Sequence, residues 1–210
     1  MLLSINHSLL FVHIQKTAGT SLTRFLKQEI CDLEAFLRPH DPLRFAQEKM
    51  GAEFERYTKV GFVRNPFDRL VSWYSMITES GRLLSDYEMQ KNPGYNKIWQ
   101  TVLSQSSTFE EFIFNCSDAT DRSGWKPFLY NQTDYLKTAD GNIGADFIGR
   151  FENLSRDVER LCKIKGLTLV SLPHINKSSH TDYRKYYSEE MRTIIEERFA
   201  EDLEYFGYEF

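Results

Sequence analysis

Lys16-Thr17-Ala18-Gly19-Thr20-Ser21 gathers one ammonium, three hydroxyls and two small residues in six consecutive positions. Between an apolar run and a helical pattern, such a stretch lets backbone N–H groups approach an anion, and the helix dipole favours negative charge there. The side chains add further donors. The plainer alternative is an ordinary loop in which Thr20 or Ser21 caps the following helix. A second set starts at Arg64, with Asn65, Asp68, Arg69 and Ser72 following at helical spacing. Arg64 and Ser72 are placed to share one phosphate; alternatively Arg64 pairs with Asp68 or another carboxylate, and Ser72 is solvated or bonded to its own helix. The first loop is not a Walker A motif, because Lys16 precedes the only glycine, Gly19. A Mg²⁺-dependent phosphotransferase also wants a carboxylate where Arg64 stands, so the second site reads as another anion site. His174 and His180 lack a convincing third ligand, and no metal site is assigned.

Strands and helices must hold these residues in place. Leu9 to Ile14 is an almost wholly apolar run, as expected of a strand covered on both faces, and Leu22, Phe25, Leu26 and Ile30 then recur at helical spacing. A helix is predicted from Asp41-Pro42, with Asp41 as N-cap, to Gly51. Lys59 to Arg64 reads as a second strand, followed by a helix that Asn65 caps and Pro66 opens, with Phe67, Leu70, Val71 and Tyr74 as its buried face. From about Ile77 to Trp125 the pattern weakens into a helical insertion over the sheet, with one capping box at Thr108-Phe109-Glu110-Glu111. Asp146 to Phe151 is a third strand, before a helix that Gly166 stops. A single closing helix from Ser188, with Met191, Ile194, Ile195, Phe199, Leu203 and Phe206 as its stripe, packs on the sheet. Alternating strand and helix signals give an α/β fold with a parallel sheet, and function belongs at the strand C-terminal ends.

Composition narrows the possible partners. The 210 residues carry a net charge of −4, so no global basic field attracts nucleic acid or an anionic membrane. Any polyanion is held by a local site. Cys31, Cys116 and Cys162 are far apart and lack CxxC spacing, which argues for a reducing compartment. No run approaches the ~20 apolar residues of a spanning helix, and the N-terminal segment lacks a basic leader. The expectation is a soluble, cytoplasmic protein with one domain over 1–210.

Phe11 to Leu22 resembles the 5′-phosphosulfate loop of the sulfotransferase superfamily, in the branch of Golgi carbohydrate O-sulfotransferases and their bacterial relatives. Gly61 to Tyr74 is similar to that family's 3′-phosphate element. Phe147 to Leu154, Leu172 to Ser178 and Tyr205 to Phe210 extend the likeness over nearly the whole chain. The resemblance implies a P-loop-NTPase-like three-layer α/β fold with a central, mostly parallel sheet flanked by helices. It also implies 3′-phosphoadenosine 5′-phosphosulfate (PAPS) as donor, the 3′,5′-bisphosphate (PAP) as product, and a hydroxyl acceptor on a carbohydrate or glycolipid. Gln15 departs from the family's usual Pro before the Lys, which alters loop rigidity and removes no ligand.

On that resemblance Lys16, Thr17, Ala18, Gly19, Thr20 and Ser21 hold the phosphosulfate, Arg64 and Ser72 the 3′-phosphate, and Lys177 and Ser178 close over the nucleotide. A solvated polar loop is the alternative for the last two. Lys16 also stabilises charge on the leaving phosphosulfate. His40 is the expected general base, since imidazole titrates near neutrality and relatives often carry a His between their anion motifs. A plain loop position for His40, or Asp41, His13 or an insertion carboxylate as base, are the alternatives. The aromatic residues Trp73, Tyr74, Phe151, Tyr205, Phe206 and Tyr208 read as core, and Glu152 as fold support. The rival functions are a non-catalytic nucleotide-binding module and an ATP-dependent phosphotransferase.

Overall fold

The structure, a computed structural model, describes residues 1–83, 97–121, 124–168 and 182–210. In chain order its elements begin with β1 (Leu2–Ser4), β2 (Leu9–Val12), α1 (Gly19–Glu29), β3 (Glu34–Ala35), α2 (Leu43–Met50) and β4 (Thr58–Val63). They continue with α3 (Pro66–Leu83), α4 (Lys97–Gln105), α5 (Phe109–Asn115), α6 (Thr133–Leu136) and β5 (Phe147–Arg150). The chain ends with α7 (Leu154–Lys165), α8 (Glu189–Arg198) and α9 (Ala200–Phe206). These elements fall into two compact units, Met1–Arg64 with Gln132–Lys177, and Asn65–Asn131 with Ser178–Phe210.

The first unit is an α/β layer structure around a five-stranded sheet in the order β3-β1-β2-β4-β5. The three strands read from the sequence form its parallel part, β2 beside β4 beside β5. Two short strands add an antiparallel edge, β1 pairing both β2 and β3. Phe11, Val60 and Phe62 pack with Leu22, Phe25 and Leu26 of α1 and Val158 and Leu161 of α7. By alternation Leu10 and Val12 point to the opposite face, and they are buried too. The sheet is therefore covered on both sides, as its near-continuous apolar strands require. Gly166, at φ +64°, ends α7 as expected.

Two local expectations change. Helix α2 starts at Leu43 behind Pro42, with no side-chain cap. Asp41 instead accepts from the Arg38 backbone N–H at 3.1 Å and pairs with the Arg38 guanidinium at 3.4 Å, so its carboxylate stabilises the preceding turn.

The second unit is helical. Asn65 Oδ1 accepts from the Phe67 N–H at 3.0 Å, capping α3, and the box at Thr108 forms with Glu111. Phe67, Leu70 and Val71 of α3 pack with Trp99 and Val102 of α4, Phe112 of α5 and Phe128. Met191, Ile195 and Phe199 complete that same core, so the closing stripe belongs to this helical cluster. It is also two helices: the chain breaks at Phe199, where φ −113° and ψ 27° leave the helical region. Arg69, 1% exposed, is buried with its guanidinium donating to the carbonyls of Tyr130 and Pro127.

Candidate functional site

The loop after β2 is built for backbone donors. Ala18 is the N-cap of α1, in the left-handed region at φ 65° and ψ 18°, and no side chain caps the helix. The first turn also holds no acidic residue. Thr20 and Ser21 lie inside the first turn of this eleven-residue helix, so neither is its N-cap. Lys16 too has a positive φ, 68°. Left-handed residues set among right-handed ones turn successive N–H groups into a concavity that suits phosphate or sulfate. Two non-glycine residues held this way carry strain that the surroundings must offset.

Those surroundings are visible. The Thr17 hydroxyl donates to the Ile14 carbonyl at 3.0 Å, so it braces the loop, and only its backbone N–H matches the donor role expected of it. Gln15 is nearly buried, and its Oε1 accepts from the Tyr135 hydroxyl at 2.7 Å. A hydrogen-bonded amide therefore supplies, in this chain, stiffness that a ring would supply elsewhere. At Gly19 an added Cβ would come within 1.9 Å of the His13 ring, so the helix start and that imidazole are in close contact.

Arg64, 3% exposed at the end of β4, meets this loop. Its guanidinium donates to the Lys16 carbonyl at 3.2 Å and lies 3.9 Å from the centroid of the Phe151 ring. Its backbone is clamped on both sides by one buried side chain. Gln132 Oε1 accepts from the Arg64 N–H and Gln132 Nε2 donates to the Arg64 carbonyl, each at 2.8 Å. The two cationic residues read from separate motifs thus share one locus at the strand C-terminal ends.

His40 sits in a turn closed by the Asp41 N–H on the Arg38 carbonyl, at φ +70°. Its Nδ1 lies 2.7 Å from the His13 carbonyl oxygen. A carbonyl only accepts, so Nδ1 carries the proton and Nε2 holds the basic lone pair of the neutral ring. The His13 ring packs edge-on against His40, centroids 4.6 Å apart. His13 itself is a poor base. Burial first, then the His40 charge and the terminal ammonium, push its pKa down to about 3. Asp41 is engaged with Arg38.

The remaining predicted residues are Ser72, Lys177 and Ser178. Ser72 lies on α3 in the second unit and is 4% exposed, which removes the solvated reading. Lys177 and Ser178 lie outside the described residues, as do His174 and His180. Gln132, Tyr135 and His13's bracing role were not read from the sequence. The four-residue helix α6 that carries Gln132, as its N-cap, and Tyr135 is too short to show a period.

The profile of the sulfotransferase family matches residues 1–209, nearly the whole chain. The chain belongs to the sulfotransferase family. That match places it on the carbohydrate-type branch of the superfamily, and the sheet with its strand-loop-helix start fits the P-loop-like fold of these sulfotransferases. No curated protein matches the sequence. Within this sulfotransferase no described helix is long and apolar enough to cross a membrane.

Proposed function

We propose that the chain transfers the sulfuryl group of PAPS to a hydroxyl of a carbohydrate or glycoconjugate, using the Lys16–Ser21 loop and Arg64 for the donor and His40 as base. One observation carries this reading: the Arg64 guanidinium donates to the Lys16 carbonyl, so the cation at the end of β4 meets the loop that leads into α1. Backbone N–H groups from Thr17 to Ser21 and the Lys16 ammonium would take up charge as the bond from sulfur to the phosphate oxygen breaks. The acceptor oxygen forms the new bond to sulfur and gives its proton to His40 Nε2, leaving PAP. Arg64 and Ser72 would hold the 3′-phosphate, and Lys177 and Ser178 the nucleotide. The reading takes 1–210 as one domain of the family, with 77–125 as an acceptor-side insertion, and the profile match through both units supports it. Three unpaired cysteines support a cytoplasmic placement, which fractionation would test.

The deciding experiment is calorimetric titration of PAP without metal, beside Mg-ATP, on the wild type, Lys16→Ala and Arg64→Ala. Metal-free PAP binding, weakened at least tenfold in both variants, is the expected result. Preference for Mg-ATP, or no PAP binding by folded protein, overturns the donor assignment. His40→Ala should then lower turnover by about 10²-fold or more with PAP affinity unchanged. PAP binding without transfer to any hydroxyl acceptor would leave a nucleotide-binding module.

A further inference from the structure

The donor loop and Arg64 leave the sheet side by side. Val12 of β2 and Gly61 of β4 are register partners, and Gln15 and Arg64 each stand three positions further on. Helix α6 lies over that point: a Cβ at Gly61 would come within 2.7 Å of the Leu136 side chain, so the helix takes the room that a missing side chain leaves on β4. Gln132, its N-cap, and Tyr135, three residues on, turn their polar groups to the two neighbouring strand ends. The Gln132 amide makes no cap bond to its own helix. It clamps the Arg64 backbone through two bonds, each of 2.8 Å, while the Tyr135 hydroxyl donates to Gln15 Oε1 at 2.7 Å.

These bonds close a ring. Lys16 follows Gln15 in the chain, the Lys16 carbonyl accepts from the Arg64 guanidinium at 3.2 Å, Arg64 is bound to Gln132, and α6 leads back through Tyr135 to Gln15. Gln15, Arg64, Gln132 and Tyr135 are all buried, so the bonds act in an interior where they are strong. In a closed ring no member moves alone. A change in the distance between the loop and Arg64 must break a buried bond. The ring also passes through Lys16 at φ +68°, a backbone conformation that persists only when its surroundings hold it.

We infer that α6 is the positioning element of the donor site: Tyr135 and Gln132 hold the Lys16–Ser21 loop and Arg64 at one separation, so that a ligand with two phosphates is gripped at both ends at once. The inference rests on the donor reading above and adds a source of affinity that neither anion site supplies alone. A second phosphate that arrives at a fixed distance binds at a high effective concentration. Tyr135 acts through Gln15, not on the ligand.

The test is metal-free calorimetric titration of PAP, adenosine 3′-phosphate and adenosine 5′-phosphate on the full chain. The wild type should bind PAP at least about a hundredfold more tightly than either monophosphate. Tyr135→Phe removes one oxygen from a buried side chain and should cut that advantage about tenfold, with each monophosphate within about twofold of its wild-type affinity. A general loss of stability would weaken all three ligands in parallel or none, so the ratio reads positioning and not folding. Gln15→Met keeps the length of the side chain without its amide and approaches the same bond from the other side. It should lower the ratio as Tyr135→Phe does, and Tyr135→Phe should add nothing in the Gln15→Met chain. An unchanged ratio in Tyr135→Phe, parallel weakening of all three ligands, or additive effects of the two substitutions would overturn the inference. A wild type that binds PAP no more tightly than one monophosphate sinks the two-anion donor reading itself, whereas a wild-type advantage that survives Tyr135→Phe sinks only the role of α6.

Discussion

His13 is the residue on which the donor loop and the proposed base both lean. Its ring touches the backbone at Gly19 and the ring of His40, and its carbonyl accepts a hydrogen bond from His40 Nδ1. A helical glycine replaced by alanine ordinarily gains about 1 kcal/mol. At Gly19 the sign should reverse, because the new Cβ would lie 1.9 Å from the His13 ring, and forcing that space open costs about 1–3 kcal/mol. Chemical denaturation of Gly19→Ala measures the loss, and weaker PAP binding should accompany it. The same imidazole gives the fold an acid sensitivity. Its pKa is depressed to about 3 when folded and returns to its ordinary value of 6.5 when unfolded, so the unfolded chain binds the extra proton between those values. The contribution is intact above pH 6.5 and is lost as pH falls toward 3, at about 1.4 kcal/mol per pH unit. Unfolding free energies at pH 7, 5 and 4 should show this slope in the wild type and a shallower one in His13→Phe.

The fold elements that bear the site vary in how openly the sequence announces them. The anion loop was legible because chemistry and pattern coincide there: an apolar run, a Lys among small and hydroxyl residues, then a helical period. The start of α3 and the end of α7 were legible because Asn65 and Gly166 act locally. Strands β1 and β3 were not, since runs of three and two residues are too short to show alternation, and pairing alone defines them. The break between α8 and α9 was hidden because the apolar stripe continues across it, Phe199 being buried with Met191 and Ile195. Gln132 was hidden for another reason: its partners are backbone groups 68 residues away, and no spacing signals such a bond. Its effect should nevertheless be large. Gln132→Ala leaves a buried N–H and C=O of Arg64 unpaired, which costs about 2–4 kcal/mol, and a thermal melt beside PAP titration would show lost stability together with weakened donor binding.

Over the whole molecule, a net charge of −4 means that the proposed affinity for a polyanionic nucleotide rests on a few fixed groups. Its salt dependence should be correspondingly mild. Raising NaCl from about 50 to about 200 mM is expected to weaken PAP binding by roughly tenfold or less, since buried or partly buried charges are poorly screened. A broad basic face would lose about 10³-fold or more over the same range. The ratio of PAP dissociation constants at the two salt concentrations separates the cases. The sequence disclosed this absence of a general field directly, and it disclosed the family through motifs spread over the chain. It did not disclose two compact units, because each draws on segments far apart in the chain and no change of composition marks where one passes to the other.

That interleaving has a consequence at the ribosome. The first unit is interrupted after Arg64 by the first stretch of the second and resumes only at Gln132. At about 5–20 residues per second, the stretch Asn65–Asn131 between them takes roughly 3–13 seconds to synthesise. For that interval the nascent chain already carries the Lys16–Ser21 loop and Arg64, yet β5 does not exist to pair the outer edge of β4, and the amide clamp on Arg64 has not been made. An open, apolar strand edge is the kind of surface that recruits chaperones or templates aggregation. Chains arrested before residue 132 should therefore be retained by holdases, whereas chains released after α7 has emerged should escape them.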